Sequence, residues 1–268
     1  MININNTLDF TISTAKSAGK ILMDYYGNIS DINRKSTVDL VTNADLESEI
    51  FIIKKIKEFY PLHDIIAEES DVIKQGSNYR WVIDPLDGTT NFVHNFPIFS
   101  VSIALQYKSE TIIGVVYNPI YNQCFYASKS KGAYLNGTSI SPSTISNLQD
   151  SLLVTGFPYN HDVLFDKSFE LFHDLYSRTQ GIRRLGAASL DFCFVAMGRF
   201  EAYYEFNLKP WDICAGDLIL RESGGKTSDW KDSLLPFSGN RILASNGVIH
   251  DEILSILQHP NYSIFIEE

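Results

Sequence analysis

"WVIDPLDGTTNF", residues 81–92, begins as a buried strand and ends in residues that a strand does not need. Trp81, Val82 and Ile83 are apolar. Asp84 and Asp87 then stand three residues apart around Pro85 and Leu86, and Gly88, Thr89 and Thr90 follow. Pro85 biases Asp84 away from helical dihedrals, which puts Asp84 at the extended end of its strand. Gly88 can supply positive φ or let a ligand approach the backbone closely. Thr89 to Phe92 can open a helix whose free N–H groups face the same point as the carboxylates. Two unit charges about 4 Å apart repel by roughly 4 kcal/mol at an effective dielectric of about 20. Partial protonation relieves that repulsion, and so does a divalent metal; all-oxygen donors favour Mg²⁺, Mn²⁺ or Ca²⁺ over zinc. Alone, Asp-Pro-x-Asp-Gly is equally well an ordinary surface turn.

Other acids lie where they can join this pair. "AEES" places Glu68 and Glu69 at the end of the preceding predicted strand, adjacent to Asp84 if neighbouring strands pair. "PWDICAG" puts Asp212 at a helix start, and "LVTNAD" does the same for Asp45; taken alone, each is more often a structural, capping residue.

The surrounding pattern alternates layers. Apolar residues at helical spacing predict helices over roughly 6–26 and 46–59. "DIIAEES" (64–70), "YRWVID" (79–84), "IFSVSIALQY", "TIIGVVYNP" and "QCFYASK" read as strands, with "KSE" and "NPIYN" as turns. A short strand near 151–156, a helix around 162–177, a buried helix over 187–198 and a strand at 201–206 follow. An Asp-capped helix from Asp212 to Gly224, then a final strand and helix, complete the chain. This alternation predicts a mixed α/β sandwich rather than a regular βαβ repeat.

At 268 residues the chain is long enough for one large domain or two intimately packed ones. No apolar run reaches the length of a membrane span, and "MININNTLDF" carries no signal-peptide pattern. Three cysteines without a C-x-x-C argue for a reducing compartment, with the cytoplasm as the simplest expectation. A net charge of −10, with no basic block longer than two residues, speaks against nucleic-acid binding.

Together, "WVIDPLDGTTNFVH" and "KPWDICAGDLILRESGG" resemble the two signatures of the inositol monophosphatase family. "KSTVDLVTNAD", "AEES", "GIRRLGAAS" and "EAYYE" resemble its intervening motifs, so the likeness runs from the first helix to about residue 257. The resemblance implies an αβαβα sandwich of the inositol monophosphatase and fructose-1,6-bisphosphatase type. The whole chain would form one such domain, with two closely packed halves meeting near residue 150. It implies Mg²⁺-dependent, lithium-sensitive hydrolysis of a small phosphorylated polyol by a homodimer, with two or three ions per site. Carried across by position, Glu68, Asp84 and the Leu86 carbonyl would hold one metal, and Asp84, Asp87 and Asp212 a second. Gly88 and Thr89 amides would receive phosphate; Asp45 and Thr89 would orient the attacking water, and Glu68 would help deprotonate it. Lys35 lies in the loop that would close over the site, while Glu205, Ala188 and Asp87 match contacts to the sugar-like ring. Ala187 stands where the family usually has Ser or Thr, so any hydroxyl contact there is lost.

Other signals fail. Cys193 to Arg199 has C-x5-R spacing, but the intervening residues form an apolar helix pattern rather than an amide cradle. "GGKT" (224–227) lacks the first P-loop glycine and follows a helix, so a helix cap explains it better. Two alternatives stay open. One is a bisphosphatase of the same superfamily (for fructose 1,6-bisphosphate, adenosine 3′,5′-bisphosphate or NADP), with Arg183, Arg184 and Lys209 as the candidates for a second phosphate. The other is a regulatory binding protein that uses this scaffold without turnover.

Overall fold

The computed structural model describes residues 2–28, 32–34, 40–158 and 162–266. In chain order the first half holds α1 (Ile4–Tyr25), β1 (Ile32–Arg34), β2 (Leu40–Thr42), α2 (Asn43–Phe59), β3 (Asp64–Ala67), β4 (Tyr79–Asp87) and α3 (Thr89–Val93). It continues through β5 (Ser100–Tyr107), β6 (Glu110–Asn118), β7 (Gln123–Ser128), β8 (Ala133–Leu135) and β9 (Thr138–Ser139). The second half holds β10 (Leu152–Thr155), α4 (Val163–Tyr176), β11 (Gly181–Arg183), α5 (Ala188–Ala196) and β12 (Ala202–Glu205). It ends with α6 (Pro210–Ser223), β13 (Lys226–Asp229), β14 (Ile242–Ser245) and α7 (His250–Leu257).

Two sheets carry the architecture. The first has seven strands in the order β3-β4-β5-β6-β7-β8-β9, antiparallel except for the parallel β3–β4 pair. Lys108 and Ser109 both take positive φ (51° and 67°), the conformation a two-residue hairpin turn between β5 and β6 requires. The second sheet runs β11-β10-β12-β14-β13. Residues Ser100–Gln106 of β5 are buried without alternation, as expected of a strand covered on both faces. The covers are α1 and α2 on one side, with Ala15, Ala18, Leu22, Ile52 and Ile56 in their shared core, and α5 and α6 on the other. Those two helices also pack on the second sheet, and a third core joins its outer face to α4, α7 and a 3₁₀ turn at Pro260–Phe265. The layers are therefore α, β, α, β, α.

The middle layer explains why the stretch 187–198 is apolar nearly all round. Leu190, Phe192, Cys193, Val195 and Ala196 are all buried in the core between the sheets. The helix closes with Gly198 at φ 74°, as its sequence predicts.

Three details differ from the sequence reading. First, α6 begins at Pro210, so Asp212 is its third residue rather than its N-cap; its Oδ2 accepts from the Lys209 backbone N–H at 2.7 Å. Second, α2 begins at Asn43, so Asp45 is likewise a third helical residue, paired with Thr42 in a reciprocal capping box. Third, the strands not read from sequence are short, and β9, β11 and β13 among them are sheet edges. "KTSD" in β13 is polar because an edge strand need not fill a core.

Candidate active site

The site grows out of an irregularity in β4. Asp84 pairs with Ser102 of β5, and Asp87 pairs with Ser100. Three steps along β4 thus match two along β5, so one extra residue is inserted at Pro85–Leu86. In a regular strand residues three apart point to opposite faces. The inserted residue cancels that, and both carboxylates share the face of Ser100 and Ser102. Proline is tolerated here because the ladder is already interrupted. The bulge is anchored by Ser48 of α2, whose hydroxyl donates to the Pro85 carbonyl at 3.1 Å.

Gly88 follows with φ 92° and ψ 39°, the left-handed conformation that caps α3. A side chain there would also meet the Ile98 and Gly186 carbonyls at 3.0 and 3.1 Å. The first helical bond of α3 runs from the Phe92 N–H to the Gly88 carbonyl, so the amides of Thr89, Thr90 and Asn91 precede it.

Other elements deliver their acids to the same place. The β3–β4 register pairs Ala67 with Ile83, so the next residues are Glu68 and Asp84. Glu68, Asp84, Asp87, Asp212 and Glu205 line one cavity of about 830 Å³, together with Leu86, Gly88, Thr89 and Ala188. Asp45 is not in the lining but is one bond away. Thr89 Oγ1 lies 3.0 Å from Asp45 Oδ1 and 3.1 Å from the Leu86 carbonyl, so its single proton serves one of them at a time. Asp45 Oδ2 accepts from the Thr42 backbone N–H at 2.8 Å and its hydroxyl at 2.6 Å.

Asp87 is held from the other half of the chain. Its Oδ1 accepts from the Ala188 N–H at 3.1 Å, and its Oδ2 from the Ser189 N–H and hydroxyl at 2.9 and 2.5 Å. Asp84 Oδ1 accepts from the Leu86 N–H at 3.0 Å.

Burial and mutual repulsion raise the proton affinity of these acids. Desolvation pushes Asp84 well up, reinforced by Glu68, Asp87 and Asp212. Asp212 is pushed well up by desolvation and then by Asp87. For Asp87, desolvation wins over the hydrogen bonds from Ser189 and Ala188, and the shift is also upward. Desolvation raises Asp45 to about 6 against the opposing Thr42 bonds, and Glu205 to about 7 against its bond from Tyr203.

Six carboxylates line the cavity, and of these Glu68, Asp84, Asp87 and Asp212 form a donor set of hard oxygens, without imidazole or thiolate, that suits a cation such as Mg²⁺. The raised proton affinities follow from burial first and, for Asp84 and Asp212, from the neighbouring negative charges second. Among the described residues, however, no three acidic, histidine or cysteine side chains are already gathered into a ligating cluster. The oxygens of Asp87 face Ala188 and Ser189, one of Asp212 faces Lys209, and the Leu86 carbonyl faces Thr89. The chemistry of the set fits the ion; its side chains would have to reorient to hold it.

Most residues singled out in the sequence therefore converge: Glu68, Asp84, Leu86, Asp87, Gly88, Thr89, Ala188, Glu205 and Asp212 line the cavity, and Asp45 joins through Thr89. Lys35 lies outside the described residues. Of the candidate cations, Arg184 and Lys209 line the cavity, whereas Arg183 is exposed and outside the lining. Sequence reasoning missed Ser189 and Asp191. Ser189 could have been found as a hydroxyl inside an otherwise apolar buried helix. Asp191 could have been found as a charge in the same helix.

The three thiols take no part. Cys124, Cys193 and Cys214 are buried and unpaired with one another. Burial raises Cys124 to about 11, Cys214 to about 12 and Cys193 well above the ordinary thiol range.

Fold and site together define a five-layered αβαβα protein with an acid-lined cavity at a strand bulge. The chain belongs to the inositol monophosphatase family, whose model matches residues 3–261. It is 42% identical over 257 residues to an inositol-1-monophosphatase of Synechocystis sp., covering 95% of this chain and 90% of the relative. It is 41% identical over 258 residues to the Nus factor SuhB of Pasteurella multocida, covering 95% and 97%. The crystal structure of extragenic suppressor protein suhB from Bartonella henselae superposes with a TM-score of 0.91 at 34% identity, covering 95% of this chain and 99% of that one. Among the described residues no helix is long and apolar enough to cross a membrane.

Proposed function

We propose that the protein is a Mg²⁺-dependent phosphomonoesterase whose preferred substrate is inositol monophosphate or a similar polyol phosphate. The observation that carries this reading is the bulge that turns Asp84 and Asp87 to one face, beside the first amides of α3. Acids that gather cations next to N–H groups that receive anions suit a phosphate ester and its metal. Glu68, Asp84, Asp87 and Asp212, with the Leu86 carbonyl, are the residues that would hold the ions. Bound Mg²⁺ supplies Lewis-acid polarisation and a lowered pKa for water. The Gly88 and Thr89 amides receive the phosphate oxygens. The Thr89 hydroxyl, set between Asp45 and Leu86, orients the attacking water, and Asp45 or Glu68 takes its proton. Glu205 accepts a hydrogen bond from a hydroxyl of the alcohol half. As the water oxygen bonds to phosphorus the ester P–O bond breaks, and the leaving alkoxide takes up a proton, with no covalent intermediate on the enzyme. The relative named as an inositol-1-monophosphatase supports the substrate.

A cytoplasmic homodimer is part of the same reading. The second reading keeps the chemistry and changes the ester: Arg184 and Lys209 at the cavity favour a substrate with a second phosphate.

Phosphate release with and without Mg²⁺ tests both readings. The panel holds inositol 1-phosphate, glycerol 2-phosphate, fructose 1,6-bisphosphate, adenosine 3′,5′-bisphosphate and NADP, with Asp87→Asn as control. Mg²⁺-dependent release from inositol 1-phosphate that vanishes in the variant supports the first reading, and a bisphosphate or NADP at the top supports the second. Silence on all five, in protein that binds Mg²⁺, refutes both and favours a regulatory role of the kind the name Nus factor suggests for a relative.

A further inference from the structure

Asp191 has no part in the scheme above, yet it is among the most buried acids in the molecule. It sits in α5 with 1% of its surface exposed, and it lines the same cavity as Asp84 and Asp87. Its Oδ1 has no hydrogen-bond partner among the described residues. Buried carboxyl oxygens are rarely left so, and this one belongs to a residue of the cavity wall. Neither the cap nor the core accounts for it: α5 has no side-chain cap bond, and the neighbouring core residues are apolar.

Its surroundings indicate what the ligand is. After desolvation, Glu205 and Asp87 raise its proton affinity and Arg184 opposes them. Glu205 lies in the same cavity, with Oε2 accepting from the Tyr203 hydroxyl at 2.5 Å. Its carboxyl is packed so closely over Gly156 that a Cβ there would stand 2.1 Å from Oε1. Two acids beside each other, one with an unused oxygen, disfavour an anionic group. An apolar group would leave Oδ1 unpaired. A hydroxyl suits both, because it donates to a carboxyl oxygen and accepts a proton from a neutral carboxyl.

We propose that Asp191 is a specificity-determining residue whose carboxyl takes a hydroxyl of the alcohol half of the ester, next to Glu205, and so selects polyhydric over hydroxyl-free substrates. This rests on the phosphomonoesterase reading.

The test compares kcat/KM for inositol 1-phosphate and for phenyl phosphate, which has no hydroxyl, in wild type, Asp191→Asn and Asp191→Ala. A site built to pair a hydroxyl discriminates strongly against losing the pair, so Asp191→Ala should lose about tenfold or more on inositol 1-phosphate. The loss should fall mainly in KM, with phenyl phosphate changed by less than about twofold. Asp191→Asn keeps an acceptor oxygen and should lie between. Binding of free myo-inositol, read by calorimetry, should weaken in parallel. Equal losses on both esters, no loss on either, or variants that melt early and lose all activity would each overturn the proposal and leave the phosphatase reading standing. Wild-type protein that hydrolyses neither ester would sink the phosphatase reading and this proposal with it.

Discussion

Ser189 Oγ lies 2.5 Å from Asp87 Oδ2, and it joins the start of α5 in one half of the chain to the end of β4 in the other. Together with the Ser189 and Ala188 amides it fixes a carboxylate that faces the cavity. A hydrogen bond to a charged group contributes about 1.5–3 kcal/mol. Ser189→Ala should therefore reduce kcat/KM about tenfold to a hundredfold while circular dichroism stays native. Steady-state kinetics at saturating and limiting Mg²⁺ would check this. Undiminished activity would show that the two amides suffice.

Among the described residues, Thr89 is the one hydroxyl that reaches both Asp45 and the Leu86 carbonyl. Thr89→Val keeps the shape and removes the proton, so turnover should fall about a hundredfold, the range in which positioned proton-transfer groups act. Thr89→Ser should recover most of it. A valine variant as active as wild type would remove Thr89 from the mechanism.

Asp84 and Asp212 are buried beside like charges, and their proton affinities are raised by desolvation first and by the neighbouring carboxylates second. Asp84→Asn should raise the Tm measured in EDTA, since it discards a buried charge. It should also abolish the rise in Tm that Mg²⁺ gives the wild type. Differential scanning fluorimetry separates the two effects. A variant that melts lower in EDTA would mean that Asp84 is a net stabiliser through its bond from Leu86.

His250 supplies a pH dependence away from the cavity. Its ring is fully buried between the Ser228 and Ser245 hydroxyls at 3.0 and 2.8 Å. Burial first, then Lys226, holds it at about 4, against 6.5 for an unperturbed histidine. Between these values the unfolded chain carries the proton and the fold does not. Stability from this group is complete above pH 6.5 and is lost as pH falls toward 4, at up to about 1.4 kcal/mol per pH unit. Asp45, raised to about 6, works with the opposite sign, because its charged form is the penalised one. The informative quantity is thus the difference between wild type and His250→Asn in urea unfolding at pH 4.5 and 7. That difference should shrink at the lower pH. Parallel curves would contradict the assignment.

Cys124, Cys193 and Cys214, buried and with raised thiol pKa values, should react negligibly with a thiol reagent at pH 8 in the native protein. All three should titrate in denaturant. Rapid native modification with loss of activity would reopen a role for the C-x5-R spacing.

Much of this was legible in the chain. The helices and the long strands announced themselves by periodicity, and the acidic residues by their position at element ends. What stayed hidden was relational. Nothing local tells that Pro85–Leu86 is a bulge, because the evidence is the register of β5, not the composition of β4. Ser189 and Asp191 read as part of an apolar helix, since the partner of Ser189 lies about a hundred residues away and Asp191 Oδ1 has none among the described residues. Asp212 read as a cap because an acid at the third helical position and one at the cap differ by less than boundary error. The short strands β11 and β13 escaped for the opposite reason: at the edges of a sheet, sequence is weakly constrained.

The clasp between Asp87 and the first residues of α5 has a mechanical corollary. The cavity is an inter-half joint, and neither half carries it whole. If the two sheets loosened slightly, as in mild denaturant, the ligating face would come apart while every helix and strand remained formed. Mg²⁺ affinity should then report the seam between the halves earlier than any spectroscopic probe of secondary structure.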